Sequence, residues 1–142
     1  NKLTQIVKPK KIFMGEKDLQ QLYLVKKELE KKYKTKIIPC ATIRDRNNVA
    51  LSSRNFHLNK FNLAIAAKIY KKLLEIKKNT INKKNITSFL NLQKKKLKNN
   101  YKIKIDYLEL RNKKNLKVSK KTNNSRLFIA YYLSNVRLID NI

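Results

Sequence analysis

Between Asp18 and about Tyr33, apolar side chains recur at Leu19, Leu22, Tyr23, Val25 and Leu29, a spacing near 3.6 residues that predicts an amphipathic helix. Asp18 stands where an N-cap belongs, with Gln21 three residues on as its capping-box partner. Lys31, Lys32, Lys34 and Lys36 crowd the far end, where cations suit the helix dipole. The flanking runs lack that period. Residues 9–15, Pro-Lys-Lys-Ile-Phe-Met-Gly, predict a short strand ending on glycine, and residues 36–43 predict a second. Strand, helix and strand at this economy form a βαβ unit, which implies parallel pairing and a right-handed crossover. The unit is too short for a whole doubly wound domain and is expected to be the last unit of one.

Residues 44–59 are polar, without clear periodicity, and predict a loop. From about Lys60 to Lys78 the period returns. Phe61, Ala64, Ile65, Ile69, Leu73 and Ile76 mark the expected buried face, and Asn59 can cap the start. After a polar break at 79–85, a further helix is expected from about Thr87 to Asn99, with Phe89, Leu90 and Leu97 inward. The period then falls to two, with Ile103, Ile105 and Tyr107 alternating with Lys104, Asp106 and Leu108. Residues 113–125 predict a loop, and Arg126–Tyr132 and Val136–Ile139 predict two more strands joined near Ser134-Asn135. Three short strands after two helices make an α+β lobe. The fold class expected is therefore α/β plus α+β, divided at 1–44 and 45–142.

Composition changes this picture little. No apolar run approaches the 18 or so residues of a transmembrane helix, and the first residues lack the apolar core of a signal peptide. A start at Asn1 rather than Met suggests a piece of a longer gene product. Cys40, the single cysteine, cannot form an internal disulfide, and its apolar run Ile37–Ala41 predicts a small buried hydrophobe. One Cys and one His are too few for a zinc site, so no metal site in the chain is expected. A reducing, cytoplasmic location is the default.

The net charge of +27 points at first to nucleic acid. Yet 30 of the 36 basic residues are Lys, spread in twos and threes, and Lys, Asn and Ile together fill 63 of 142 positions. These amino acids have A- and T-rich codons, so base bias alone would produce them. A face that reads bases would favour Arg and stacking aromatics. A basic nucleic-acid-binding module remains the alternative reading, and a non-catalytic scaffold a third.

Two clusters can carry chemistry. Gly15, the only glycine, closes one strand and opens Glu16-Lys17-Asp18 at the start of a helix. Ligands of open α/β sheets bind at such carboxyl ends; glycine permits close backbone approach, and Lys17 offers a cation for phosphate. A plain strand-to-helix turn would look the same. Leu51-Ser52-Ser53-Arg54-Asn55 places two hydroxyls and a guanidinium in one loop, a natural anion clamp, or else a polar lead into a helix cap.

Together the two clusters resemble the pantothenate synthetases. That family carries a run like Phe-x-Gly-Glu-Lys-Asp-x-Gln-Gln-Leu, here Phe13–Leu22, and one like Thr-Val-Arg-x-x-Asp-Gly-Leu-Ala-Leu/Met-Ser-Ser-Arg-Asn, here Thr42–Asn55 without a gap. Asp106-Tyr107-Leu108-Glu109 resembles its Asp-Tyr-x-Glu strand, and Val136–Asn141 resembles its closing Thr-Arg-Leu-Ile-Asp-Asn. The resemblance implies the C-terminal portion of an ATP-dependent ligase that joins pantoate to β-alanine through pantoyl adenylate. It implies a Rossmann-like domain of nucleotidylyl-transferase type, of which this chain holds the last βαβ unit, followed by a lid lobe of helices and a three-stranded antiparallel sheet. Gly15, Glu16, Lys17 and Asp18 would hold ATP, with Lys17 offsetting charge as pyrophosphate leaves. Gln21 would hydrogen-bond pantoate. The backbone of Ile43 would meet adenine, and Leu51, Ser52, Ser53 and Arg54 would close over the phosphates. Mg²⁺ would accompany ATP, and the full enzyme would be a homodimer.

The departures are instructive. The family's Asp-Gly turn is Asn47-Asn48 here, and Asn tolerates left-handed backbone. The family's N-terminal His-containing phosphate motif is absent. His57, where the family tends to have an aromatic residue, does not replace it and is expected to be structural or superficial. The chain alone is therefore expected to be inactive.

Overall fold

Lys11–Gly15 (β1) and Lys36–Cys40 (β2) pair in parallel, in register from Lys11 opposite Lys36 to Gly15 opposite Cys40. They belong to the first of two compact units, Asn1–Thr42 and Ile43–Ile142, into which the computed structural model of residues 1–142 divides. Leu19–Lys32 (α2) crosses between the strands and buries Leu22 and Leu29, while β2 buries Ile37. Three hydrogen bonds fix the crossover. The Glu30 carboxylate accepts from the Ile37 N–H (2.9 Å), the Thr35 hydroxyl donates to the Pro9 carbonyl (2.8 Å), and the Lys36 N–H donates to the Lys10 carbonyl (3.0 Å).

Four details depart from the sequence pattern. A six-residue helix, Lys2–Val7 (α1), precedes β1; its apolar Leu3, Ile6 and Val7 share helical spacing but stay exposed, and only Thr4 is buried. The capping box at Asp18 does not form. Glu16–Asp18 make one turn of 3₁₀ helix instead, and Asp18, at φ −103° and ψ 59°, lies outside the extended region that aims a cap side chain at the next amides. The second strand stops at Cys40 rather than residue 43, because β1 ends at Gly15 and leaves nothing to pair with. At that strand end Cys40 is half-buried, not buried as expected.

In the second unit Lys104–Asn112 (β3), Ser125–Leu133 (β4) and Val136–Asn141 (β5) form an antiparallel sheet in the order β3-β4-β5. Lys60–Thr80 (α3) and Ile86–Tyr101 (α4) contribute Ile69, Leu73, Ile76, Leu90 and Leu97 to a core shared with Ile105, Leu108, Leu110, Leu127, Ile129, Leu133 and Leu138. Both helices start on asparagine caps. Asn59 accepts from the Asn62 N–H (2.8 Å) and Asn85 from the Ser88 N–H (3.0 Å). The buried stripe of α3 is Ala66, Ile69, Leu73, Ile76 and Thr80. At about 100° per residue Phe61 and Ala64 stand roughly 80° and 140° round the helix from Ile69, so both fall off the stripe expected for them, Phe61 being 72 % exposed. No helix is long and apolar enough to cross a membrane.

The largest correction lies in β3. A register shift between Ile105 and Tyr107 makes Asp106 a bulge. Ile105 points into the core before it, and Leu108 and Leu110 after it, so Tyr107 and Leu108 exchange the faces that strict alternation gives them.

Candidate functional site

In the first unit the expected site residues share one strand-to-helix turn. Gly15 ends β1 in ordinary extended geometry (φ −67°, ψ 133°), and a Cβ built on it would meet no atom within 4 Å. Neither the turn nor internal packing therefore requires glycine there; its effect is to leave bare backbone facing open space. Glu16 and Lys17 are half-buried in the 3₁₀ turn, Asp18 is exposed, and Gln21 lies exposed in the first turn of α2.

In the second unit Ile43, Leu51, Ser52, Ser53 and Arg54 lie on a hairpin and the turn that follows it. The Leu51 N–H donates to the Ile43 carbonyl (3.0 Å), and the Asp45 N–H donates to the Val49 carbonyl (2.9 Å). The Asp45 carboxylate accepts from the Asn47 and Val49 amides (2.8 and 2.9 Å), which closes the tip, and Asn48 takes the left-handed conformation (φ 66°). Val49 and Ala50 are buried, whereas Ile43 (72 % exposed) and Leu51 (52 %) present apolar side chains to solvent. Ser52 caps the 3₁₀ helix Ser53–His57 by accepting from the Arg54 N–H (3.3 Å), and Asn55 ties that turn to the Ala50 carbonyl (3.1 Å). Ser53, Arg54 and His57 are exposed, and the Arg54 guanidinium donates to the Arg137 carbonyl (3.1 Å).

Charged groups beneath the hairpin are more constrained. Arg44 makes a two-pronged ion pair with Asp140 (2.7 and 2.9 Å), with both side chains largely buried. Its guanidinium also donates to the Asn48 carbonyl (3.2 Å) and stacks 4.1 Å from the centre of the Tyr70 ring. Burial opposes the Arg44 charge, but the Asp140 hydrogen bonds and negative charge outweigh it and raise the pKa further. Burial, and then Asp140, push the Tyr131 phenol well above the usual tyrosine range, with Arg44 pulling partly back. On the other side, the bulged Asp106 accepts from Arg137 (2.8 Å) through its carboxylate and from Lys94 (2.6 Å) through its carbonyl. The Asp106 hydrogen bond raises the pKa of the half-buried Arg137.

Arg44, Asp106, Arg137 and Asp140 are not among the residues that the sequence singles out. Their signal is present: Arg44 lies inside the Thr42–Asn55 run and Asp140 inside Val136–Asn141. No spacing rule connects positions so far apart. An open cleft of about 890 Å³ in the second unit, lined by Phe61, Asn62, Tyr101, Lys104, Tyr132 and Ser134 among others, contains none of the expected site residues.

All 142 residues match the protein family described as pantoate-beta-alanine ligase. The pantothenate synthetase of Flavobacterium psychrophilum is 37 % identical over 147 residues, covering 99 % of this chain and 51 % of that protein. That of Francisella philomiragia is 37 % identical over 142 residues, covering 99 % and 46 %. The crystal structure of pantothenate synthetase from Thermus thermophilus superposes with a TM-score of 0.87 at 26 % identity, covering 99 % of this chain and 52 % of that one. The pantoate-beta-alanine ligase of Francisella tularensis, solved in complex with β-γ ATP and β-alanine, matches with a TM-score of 0.73 at 34 % identity, covering 99 % and 46 %. The chain thus spans about half the length of the relatives it matches.

Proposed function

The chain belongs to the pantoate–β-alanine ligase family, and from that premise we propose that it is the C-terminal portion of an enzyme that condenses pantoate with β-alanine at the expense of ATP. The observation that carries this reading is the match to the family from residue 1 to residue 142. In the first step a pantoate carboxylate oxygen attacks the α-phosphorus of ATP, and the bond to the β-phosphate breaks to release pyrophosphate. In the second, the β-alanine amine attacks the acyl carbon, loses a proton, and expels AMP.

The residues of this chain contribute positioning and charge. The bare backbone at Gly15, with Glu16 and Asp18, is assigned to the ribose and phosphates. Lys17 is assigned to the negative charge that grows on the departing pyrophosphate. Gln21, exposed one turn further on, is assigned to pantoate. Ile43 and Leu51, apolar and solvent-facing, suit a purine, with the Ile43 backbone at its edge. Ser52, Ser53 and Arg54 are assigned to the phosphates. The Ser52 hydroxyl accepts from the Arg54 N–H and the Arg54 guanidinium gives one N–H to the Arg137 carbonyl, so the hydroxyl proton and the other guanidinium N–H groups are what they would offer a phosphate. Mg²⁺ is assigned to the phosphates of the nucleotide; no group of three or more His, Cys, Asp or Glu side chains converges in this chain. The division into a nucleotide-binding end (1–44) and a lid lobe (45–142) is part of the same reading, as are a homodimeric whole enzyme and a cytoplasmic location.

The test is pantoate-dependent exchange of pyrophosphate into ATP by the whole protein that carries these residues. Lys17→Ala and Arg54→Ala are each expected to slow it by about 10²–10³-fold, the usual loss when a donor to developing charge is removed. The 142 residues alone are expected to make no pantothenate. Absence of exchange by the whole protein, or undiminished exchange in both variants, would overturn the reading.

A further inference from the structure

The hairpin at Ile43–Leu51 is closed locally by its ladder bonds and the Asp45 carboxylate, but few of its side chains anchor it to the rest of the unit. It buries only Val49 and Ala50, it is nine residues long, and isolated hairpins of that size are marginal in water. What it does have is Arg44. One guanidinium grips both oxygens of Asp140 on β5, the Asn48 carbonyl at the hairpin tip, and the Tyr70 ring on α3. Asp140 is itself fixed, since its Oδ1 also accepts from the Asn141 N–H (2.8 Å) and β5 is paired along its length with β4. Three separate elements thus meet at one planar cation.

We propose that Arg44 and Asp140 are positioning residues for ATP, and that their ion pair sets the hairpin in the shape that binds nucleotide. The inference rests on the assignment of the Ile43 backbone and the Leu51–Arg54 turn to ATP. Both lie at the base of the hairpin, on either side of the Arg44–Ala50 bridge. Neither Arg44 nor Asp140 touches ATP in this scheme. A hairpin freed from its pin samples many shapes, and the ligand's apparent affinity falls by the fraction of time the competent one is absent. The effect therefore belongs to the KM for ATP and leaves the chemical step alone. Lysine cannot replace Arg44, because a compact ammonium cannot serve two carboxylate oxygens and a carbonyl in one plane while stacking on a ring.

The experiment has two arms. In the whole enzyme, Arg44→Lys and Asp140→Asn are each expected to raise the KM for ATP about tenfold, with kcat and the KM for β-alanine changed by no more than about twofold. A purely structural role would instead lower the fraction of active enzyme and move kcat. In the second arm, amide hydrogen exchange at Leu51 is measured on the 142-residue chain, where Arg44→Lys is expected to accelerate it at least about tenfold relative to the α3 amides. That arm needs no activity. Should Asp140→Asn fail to fold, Arg44→Lys, which keeps the charge, decides both arms. An unchanged KM for ATP in a folded Arg44→Lys enzyme overturns the proposal, as does unchanged exchange at Leu51. A wild-type enzyme with no ligase activity would sink the functional reading instead, and the exchange arm would still report on the pin.

Discussion

At the scale of single residues, Asp140 is the most heavily engaged acid in the second unit, accepting from two Arg44 nitrogens and from the Asn141 amide. Such an ion pair is worth little net stability, since burying both charges costs about what their attraction returns; breaking it by removing one partner is what costs. Its neighbour Tyr131, only 5 % exposed, feels that charge directly. The raised pKa implies a linkage with a definite sign. In the unfolded chain the phenol ionises near its ordinary value of 10.0, and in the folded chain it does not. The stability contributed by a neutral Tyr131 is whole below that value and declines as pH rises through it toward the folded pKa. Spectrophotometric titration is therefore expected to leave at least one of the seven tyrosines un-ionised until the fold opens, and Tyr131→Phe is expected to remove that step. None of this is legible in the sequence. Arg44 and Asp140 are visible there only as members of two separate runs, because an ion pair across 96 positions is a property of the folded sheet.

Elements are far more legible, where their cause is local. Asn59 and Asn85 both cap helices, and the sequence marks Asn59 as a cap because the side chain needs only the three residues that follow it. The stripe through Ile69, Leu73 and Ile76 is visible for the same reason. Denaturant titration is expected to rank the two devices. Asn59→Ala should cost about 1 kcal/mol, and Ile69→Ala, with its side chain fully buried, about 2–5 kcal/mol. The reverse order would mean that α3 is held by its end and not by its face. Where the cause is non-local, the pattern misleads. The bulge at Asp106 depends on the partner strand and on Arg137 and Lys94. Phe61 resembles core because it is aromatic at roughly the right spacing, although it stands exposed on the lining of the open cleft and not in the core. The expected site residues are legible through the resemblance of two runs, while their present partners, such as the Arg137 carbonyl for Arg54, are not.

At the scale of the whole molecule, the charge of +27 is a burden on the fold. Apart from Lys17 and Lys94, every lysine is exposed. The crowding of charge acts on Lys77, whose pKa is lowered by desolvation and further by the neighbouring Arg126 and Lys113 charges. Self-repulsion of this kind is screened once the Debye length falls to about 10 Å, near 0.1 M salt. Calorimetry is accordingly expected to show an unfolding midpoint that rises with NaCl from low to physiological ionic strength. A midpoint that falls over that range would mean that exposed ion pairs, such as Lys72–Glu75, outweigh the repulsion.

The pin between Arg44 and Asp140 also sets an order of events during synthesis. Ninety-six residues separate the partners. A ribosome adding 5–20 residues per second needs about 5–20 s to travel from one to the other. Throughout that interval the hairpin exists while its anchor does not, so the hairpin takes its pinned shape only after β5 has been made.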